Sequence, residues 1–149
     1  MRISLLAVAL AALATVAGVS AQSSSSKELT SLQGTWVLTS VNGQAVDGSM
    51  PELTVIFTDD KYTQTLGGQV TERGSIKLDP SKKPMLIDFV ITEGDDANKT
   101  QLGVIQIGAD SITGKLNTPG STERPTDFTP AEGALVFVMA KRGKTETLR

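Results

Sequence analysis

Eight short segments of alternating apolar and polar residues, each bounded by turn residues and joined without any helical pattern, constrain this chain more than any other feature. They are read at Thr35 to Val41, Leu53 to Thr58, Lys61 to Leu66, Thr71 to Leu78, Met85 to Thr92, Thr100 to Ile107, Ser111 to Leu116 and Leu135 to Lys141. A period of two puts Trp36 and Leu38 on one face of their strand, and does the same for Leu53, Val55 and Phe57, for Ile76 and Leu78, and for Met85, Ile87, Phe89 and Ile91. The last segment is apolar on both faces, so its inward set stays open. Asp59-Asp60, Gly67-Gly68 and Gly108-Ala109-Asp110 supply the turn chemistry between neighbours. Sequential strands with short links predict an all-β, antiparallel, up-and-down meander. Eight of them favour closure into a barrel, which removes both exposed edges. An open two-sheet sandwich is the rival.

The two ends of the chain fall outside that pattern. Arg2 followed by the apolar run Ile3 to Val19 and the small residues Val19-Ser20-Ala21 reads as a cleavable export signal, residues 1–21. The run is short for a membrane span and is interrupted by Ser4, Thr15 and Gly18. No cysteine follows it, which argues against a lipid anchor. The expected product is exported to the periplasm or beyond, with no membrane insertion after cleavage. Residues 22–31 form a serine-rich leader ending in a helical turn, for which Ser25 and Glu28 have capping-box spacing. That turn would plug one end of the barrel. The barrel domain is placed at 32–142 and a tail at 143–149.

Composition then narrows the chemistry. The chain has no histidine and no cysteine, so disulfides, Ser-His and Cys-His nucleophile pairs, thiolates and the usual zinc and copper sites are all excluded. Carboxylate or Ser-Lys chemistry and oxygen-ligated calcium remain. Cleavage would remove Arg2 from 14 basic residues set against 16 acidic ones, leaving a net charge of −3, too mild and interspersed to indicate a nucleic-acid partner. Tryptophan, tyrosine and phenylalanine are also too few for base stacking. Glu93, Asp95, Asp96 and Asn98 offer oxygen donors without the alternating spacing of a calcium loop. No catalytic residue, metal or cofactor is assigned.

In an up-and-down barrel alternate links share an end. Asp59-Asp60, Asp79 to Pro84 and Gly108 to Asp110 then lie at the base, and Asn42 to Pro51, Gly67 to Gln69, Glu93 to Lys99 and Asn117 to Gly133 lie at the mouth. The last link carries Pro119, Pro125 and Pro130 and is long enough for a binding loop. Its Arg124, Asp127 and Phe128 are ligand-mouth candidates, against the alternative that Arg124 pins its own loop to a carboxylate while Phe128 seals the rim. Glu72 shares the alternation face of Gly74, Ile76 and Leu78 and is the fourth candidate. Pointing inward it needs a partner or a proton; the alternative is that a strand twist or a bulge leaves it at the rim.

Leu32-Gln33-Gly34-Thr35-Trp36, Asn42-Gly43, Asp79-Pro80-Ser81-Lys82-Lys83-Pro84 with Ile87-Asp88, Lys99-Thr100 with Gly103, Arg124-Pro125-Thr126-Asp127-Phe128 and the closing run from Leu135 to Arg142 resemble a family of uncharacterised exported bacterial domains abundant in Planctomycetes. The family is similar to lipocalins, so the resemblance implies a lipocalin-like barrel and a non-catalytic role. Its members often carry a cysteine near the end of the seventh strand, where this chain has Asn117, and no role for that thiol transfers. Gly34-Thr35-Trp36 also resembles the Gly-x-Trp motif of lipocalins, in which the indole closes the barrel base under a basic residue of the final strand. Gly34, Trp36 and Arg142 are the implied base, with Lys141 the next basic candidate. Gly-Thr-Trp resembles the avidin opening too, but one tryptophan is too few to enclose biotin.

Two function classes follow. One is a binding module for a small hydrophobic molecule. The other is a protein-interaction or inhibitor module presenting residues 117–133 to an envelope protein. Interior volume separates them, because a ligand site needs roughly 300 Å³ or more, whereas Leu53, Phe57, Ile87 and Phe89 could simply fill a small barrel. The export reading has its own test: the intact mass of secreted protein should correspond to a chain beginning at Gln22, and a membrane-bound product retaining Met1 would overturn it.

Overall fold

A computed structural model describes residues 27–143. The export signal 1–21, the serine run with its Ser25 cap and the tail from residue 144 lie outside the described residues. Helix α1, residues 27–32, comes first. Nine strands follow: β1 (Gly34–Val41), β2 (Gln44–Ala45), β3 (Leu53–Thr58), β4 (Lys61–Leu66), β5 (Gln69–Asp79), β6 (Met85–Glu93), β7 (Thr100–Ile107), β8 (Ser111–Leu116) and β9 (Leu135–Lys141). β2 is a two-residue return against β1. The remaining eight pair antiparallel in chain order, and β9 closes on β1. The fold is therefore an eight-stranded up-and-down barrel of lipocalin-like form with one short helix.

Two details differ from the sequence reading, and turn geometry explains both. Asn42 and Gly43 take φ of 48° and 81°, the left-handed pair that a two-residue hairpin requires, so the chain folds back as β2 where an open loop was expected. Gly67 and Gly68 take φ of 60° and 83° and make a second such turn, which starts β5 two residues earlier than read.

Inward residues fill the barrel. Trp36, Val55, Phe57, Ile87, Phe89, Ile105 and Ile112 are buried in one cluster, and Phe137 and Met139 from β9 join it, which settles the inward face of that strand. Phe89 meets Tyr62 edge-on, with ring centroids 4.9 Å apart. Gly114 faces Phe137 across β8 and β9, and a Cβ there would come within 2.3 Å of the Phe137 ring, so only glycine leaves the ring its place.

The base is built on Trp36, which is fully buried. Its indole N–H donates to the Leu32 carbonyl at 2.7 Å, satisfying one of the carbonyls that the short helix leaves unpaired at its end. Gln33 ties the same corner to the β3–β4 turn, donating to Asp59 O at 2.9 Å and accepting from Asp59 N at 2.6 Å. Gly34 holds φ of 110°, open only to glycine, and lets the chain swing from helix into strand. The basic residue over the indole is Lys141, whose Nζ lies 5.5 Å from the ring centroid. This corrects the expectation for Arg142. Lys141 is the direct cross-strand partner of Trp36 and shares its face, whereas Arg142, one residue on, turns outward to pair with Glu52 beyond β1.

Trp36→Ala should lower stability by ~3–5 kcal/mol in denaturant melts. Lys141→Ala should cost about 0.5–1 kcal/mol and change the Trp36 fluorescence, whereas Arg142→Ala should leave that emission unchanged.

Candidate functional site

A barrel of this size is filled mainly by side chains or holds one small ligand. Here a cavity of about 80 Å³ remains along the interior, lined from Phe57, Tyr62 and Ile112 on the base side to Leu53, Leu116 and Leu135 at the end where β3, β5, β7 and β9 begin. Its walls are mostly apolar, including Leu38, Leu53, Phe89, Leu116, Leu135 and Phe137. Tyr62, Gln64, Glu72 and Gln101 give it one polar margin.

Register explains how Glu72 reaches that margin. Gln64 pairs with Glu72 and Thr65 with Val70, so Thr71 is the extra residue of a bulge; it lies on the turn side of Glu72, which keeps the inward face of Gly74 and Ile76, so the bulge does not leave Glu72 at the rim as the alternative reading had it. The half-buried carboxylate accepts from the Tyr62 hydroxyl at 2.7 Å. Burial, then the Glu72 hydrogen bond and its negative charge, push the Tyr62 phenol far above its usual range, so it serves as a donor throughout the neutral region. Arg73 faces outward and pairs with Glu93 at 2.9 Å, leaving Glu72 without a cationic partner among the described residues.

The mouth itself is apolar. Among the described residues the large hydrophobic side chains left exposed are Met50, Leu66, Val70 and Leu135, and every one belongs to a strand end or link at that mouth. Leu66 and Leu135 pair with the cavity-lining Leu53 and Leu116, Met50 joins Leu66 in an outer groove, and Val70, opposite Thr65, faces the outer wall. That groove lies beneath residues 42–51 and shares Leu38 and Leu53 with the cavity.

The long 117–133 link does not stand over this mouth. It lies as a strap on the outer wall, covering the cross-strand row Val104, Lys115 and Val136, which is buried although it faces outward. Arg124 fixes it: Nη1 donates to Ile87 O at 3.2 Å and Gly103 O at 2.9 Å, while Nη2 meets Asp88 Oδ1 at 2.6 Å. Lys115 Nζ reaches up to Thr129 O at 2.6 Å and lies 3.5 Å from Asp127. The Thr129 N–H, and then the Lys115 charge, hold the exposed Asp127 carboxyl below its usual range. Phe128 is half-buried and borders a surface groove with Pro84, Met85 and Ile107, toward the base. Of the four candidates read from the sequence, Glu72 alone lines the cavity. Arg124, Asp127 and Phe128 serve the strap, because strand parity fixes where a link starts and ends but not where its middle rests.

Tyr62, Gln64 and Gln101 were not singled out in the sequence. Alternation along β4 does place Tyr62 and Gln64 together, but the bulge at Thr71 hides which residues of β5 face them. No group of three or more carboxylates among the described residues is placed to hold a metal ion. Asp96 is engaged by Lys99 at 2.8 Å and Glu93 by Arg73. Comparisons with family profiles, curated proteins and solved structures find no match to the chain.

Arg124→Ala should cost ~1–3 kcal/mol, since it leaves two carbonyls and a half-buried carboxylate without their donor. Hydrogen exchange should show protection lost first in residues 121–130 while the barrel strands keep theirs. Arg124→Lys should recover little, lacking the planar fork that serves three acceptors at once.

Proposed function

We propose that this protein is a non-catalytic binding module, an exported barrel that takes a small hydrophobic molecule, or the apolar end of a larger one, through its mouth. The observation that carries this reading is the coincidence of an apolar cavity and the exposed apolar side chains Met50, Leu66, Val70 and Leu135 at one end of the barrel. By interior volume alone, about 80 Å³ against the roughly 300 Å³ of a drug-sized site, the barrel falls on the filled side, so the binding reading requires that the inserted group be small or extend into the groove that shares Leu38 and Leu53. A catalytic role is not part of the proposal: without histidine or cysteine only carboxylate or Ser-Lys chemistry remains, and the one carboxylate at the cavity, Glu72, is engaged by the Tyr62 hydroxyl. Membership of the exported lipocalin-like family that the chain resembles, a periplasmic or extracellular location and the absence of a cofactor or nucleic-acid partner belong to the same proposal.

The second reading, an envelope-protein interaction module using residues 117–133, is favoured by one observation: Arg124 holds the strap as a fixed relief with an outward edge.

Native mass spectrometry of protein purified from its own envelope, with thermal melts against alkanes, alcohols and apolar dyes, separates them. A bound small molecule should stabilise the protein by ~2.7 kcal/mol at a hundredfold excess over Kd. Leu135→Arg should weaken that response because Leu135 is exposed at the mouth, whereas Arg124→Ala should retain it. A co-purifying protein, together with no response to any apolar compound, would favour the second reading.

A further inference from the structure

The polar margin of the cavity is strongly biased in its hydrogen-bonding character. Tyr62 spends its only donor on Glu72 Oε1. Gln64 directs its amide nitrogen to Thr71 Oγ1 at 3.2 Å, and Gln101 directs its own to Asn117 O at 2.9 Å. Each of these glutamines therefore has one amide N–H anchored, Gln64 on the bulge of β5 and Gln101 on the 117–133 link, and keeps its carbonyl oxygen and one N–H for another partner. Glu72 keeps its second carboxylate oxygen in the same way. The margin thus presents acceptors, one of them charged, beside apolar walls that contain no basic residue. The nearest guanidinium along the strand, Arg73, is turned to the outer face and held by Glu93.

We infer that the mouth site selects an amphipathic molecule whose apolar part enters the barrel and whose head is a hydrogen-bond-donating cation, an alkylammonium, in preference to one with a carboxylate head. This rests on the reading of the barrel as a binding module and adds the identity of the head group. An ammonium brings three donors and a positive charge to a margin that offers acceptors and a negative one. A carboxylate would set like charges together at a partly desolvated site, and the one N–H that each glutamine amide has left over offers it only a neutral hydrogen bond in compensation.

Octylammonium, octanol and octanoate share one apolar chain and differ only in the head, so isothermal titration of the three against the full mature protein reads the inference directly. Octylammonium should bind at least about tenfold more tightly than octanoate, with octanol between them, as one charge-assisted hydrogen bond implies. Glu72→Gln preserves an acceptor for Tyr62 and should lower octylammonium affinity about tenfold, while octanol affinity stays nearly the same. Glu93→Gln makes the same change in net charge on the outer wall and should leave the ranking intact. Octanoate binding as tightly as octylammonium, or an equal loss in Glu93→Gln, would overturn the head-group inference while the binding module stands. Failure of all three compounds to bind the parent would remove both. If Glu72→Gln does not fold, the ranking in the parent and in Glu93→Gln decides the question.

Discussion

The seam between β1 and β9 is the contact on which the rest of the barrel depends. Apart from β1 and β3, which are separated by the two-residue β2, every other strand pair joins neighbours in the chain, whereas this one brings the first strand to the last. No disulfide assists it, since the chain has no cysteine. Trp36 sits on that seam and ties three parts of the protein together: it pairs with Lys141 of β9 and Val55 of β3, and its indole N–H holds the helix that covers the base. At the other end of the seam Asn42 bridges the same strands, its backbone N–H donating to Val136 O at 2.7 Å and its side-chain oxygen accepting from Val136 N at 3.0 Å. A barrel closed at both ends of one seam has no free edge to offer another chain.

Closure leaves two consequences that share a cause. A β-strand has two faces, and β7, β8 and β9 carry Val104, Lys115 and Val136 on the outer one, where bare exposure of the valines is unfavourable. The 117–133 strap covers that row, and Arg124 holds it there by spanning two backbone carbonyls and Asp88. The length of the link, which invites a functional reading, is thus used in covering the wall. Inside, the same eight strands bring their side chains close enough to fill most of the barrel, and the small unfilled remainder is bordered on one side by Glu72, Gln64, Tyr62 and Gln101.

Period-two alternation and turn residues were enough to place all eight barrel strands, because burial of one face imposes that period directly on the sequence. They were not enough for the site. Alternation with Gly74, Ile76 and Leu78 put Glu72 on the inner face, but counting back from the Gly67-Gly68 turn without a bulge would set Thr71 opposite Gln64; the extra residue at Thr71 is what makes Glu72 the partner of Gln64. A shift of one residue at the other end separates Lys141 from Arg142. Both are basic, and only the pairing of Lys141 with Trp36 decides which crosses the indole. Arg124 is a third case, since its acceptors Ile87, Asp88 and Gly103 are distant in the chain and two of them are backbone atoms with no signature of their own.

The amino-acid order alone therefore established an all-β chain of eight barrel strands, the absence of thiol and imidazole chemistry, and the burial of Trp36, because strand period, turn preference and residue type act locally or by composition. The three-dimensional fold decided which basic residue covers the indole, that the proline-containing link is a strap and not a lid, and that Glu72, Gln64 and Gln101 meet at one cavity. Those outcomes depend on bulges, on closure and on contacts to backbone carbonyls, and each of these is set by how distant strands come into register, a relation that no local stretch of sequence contains.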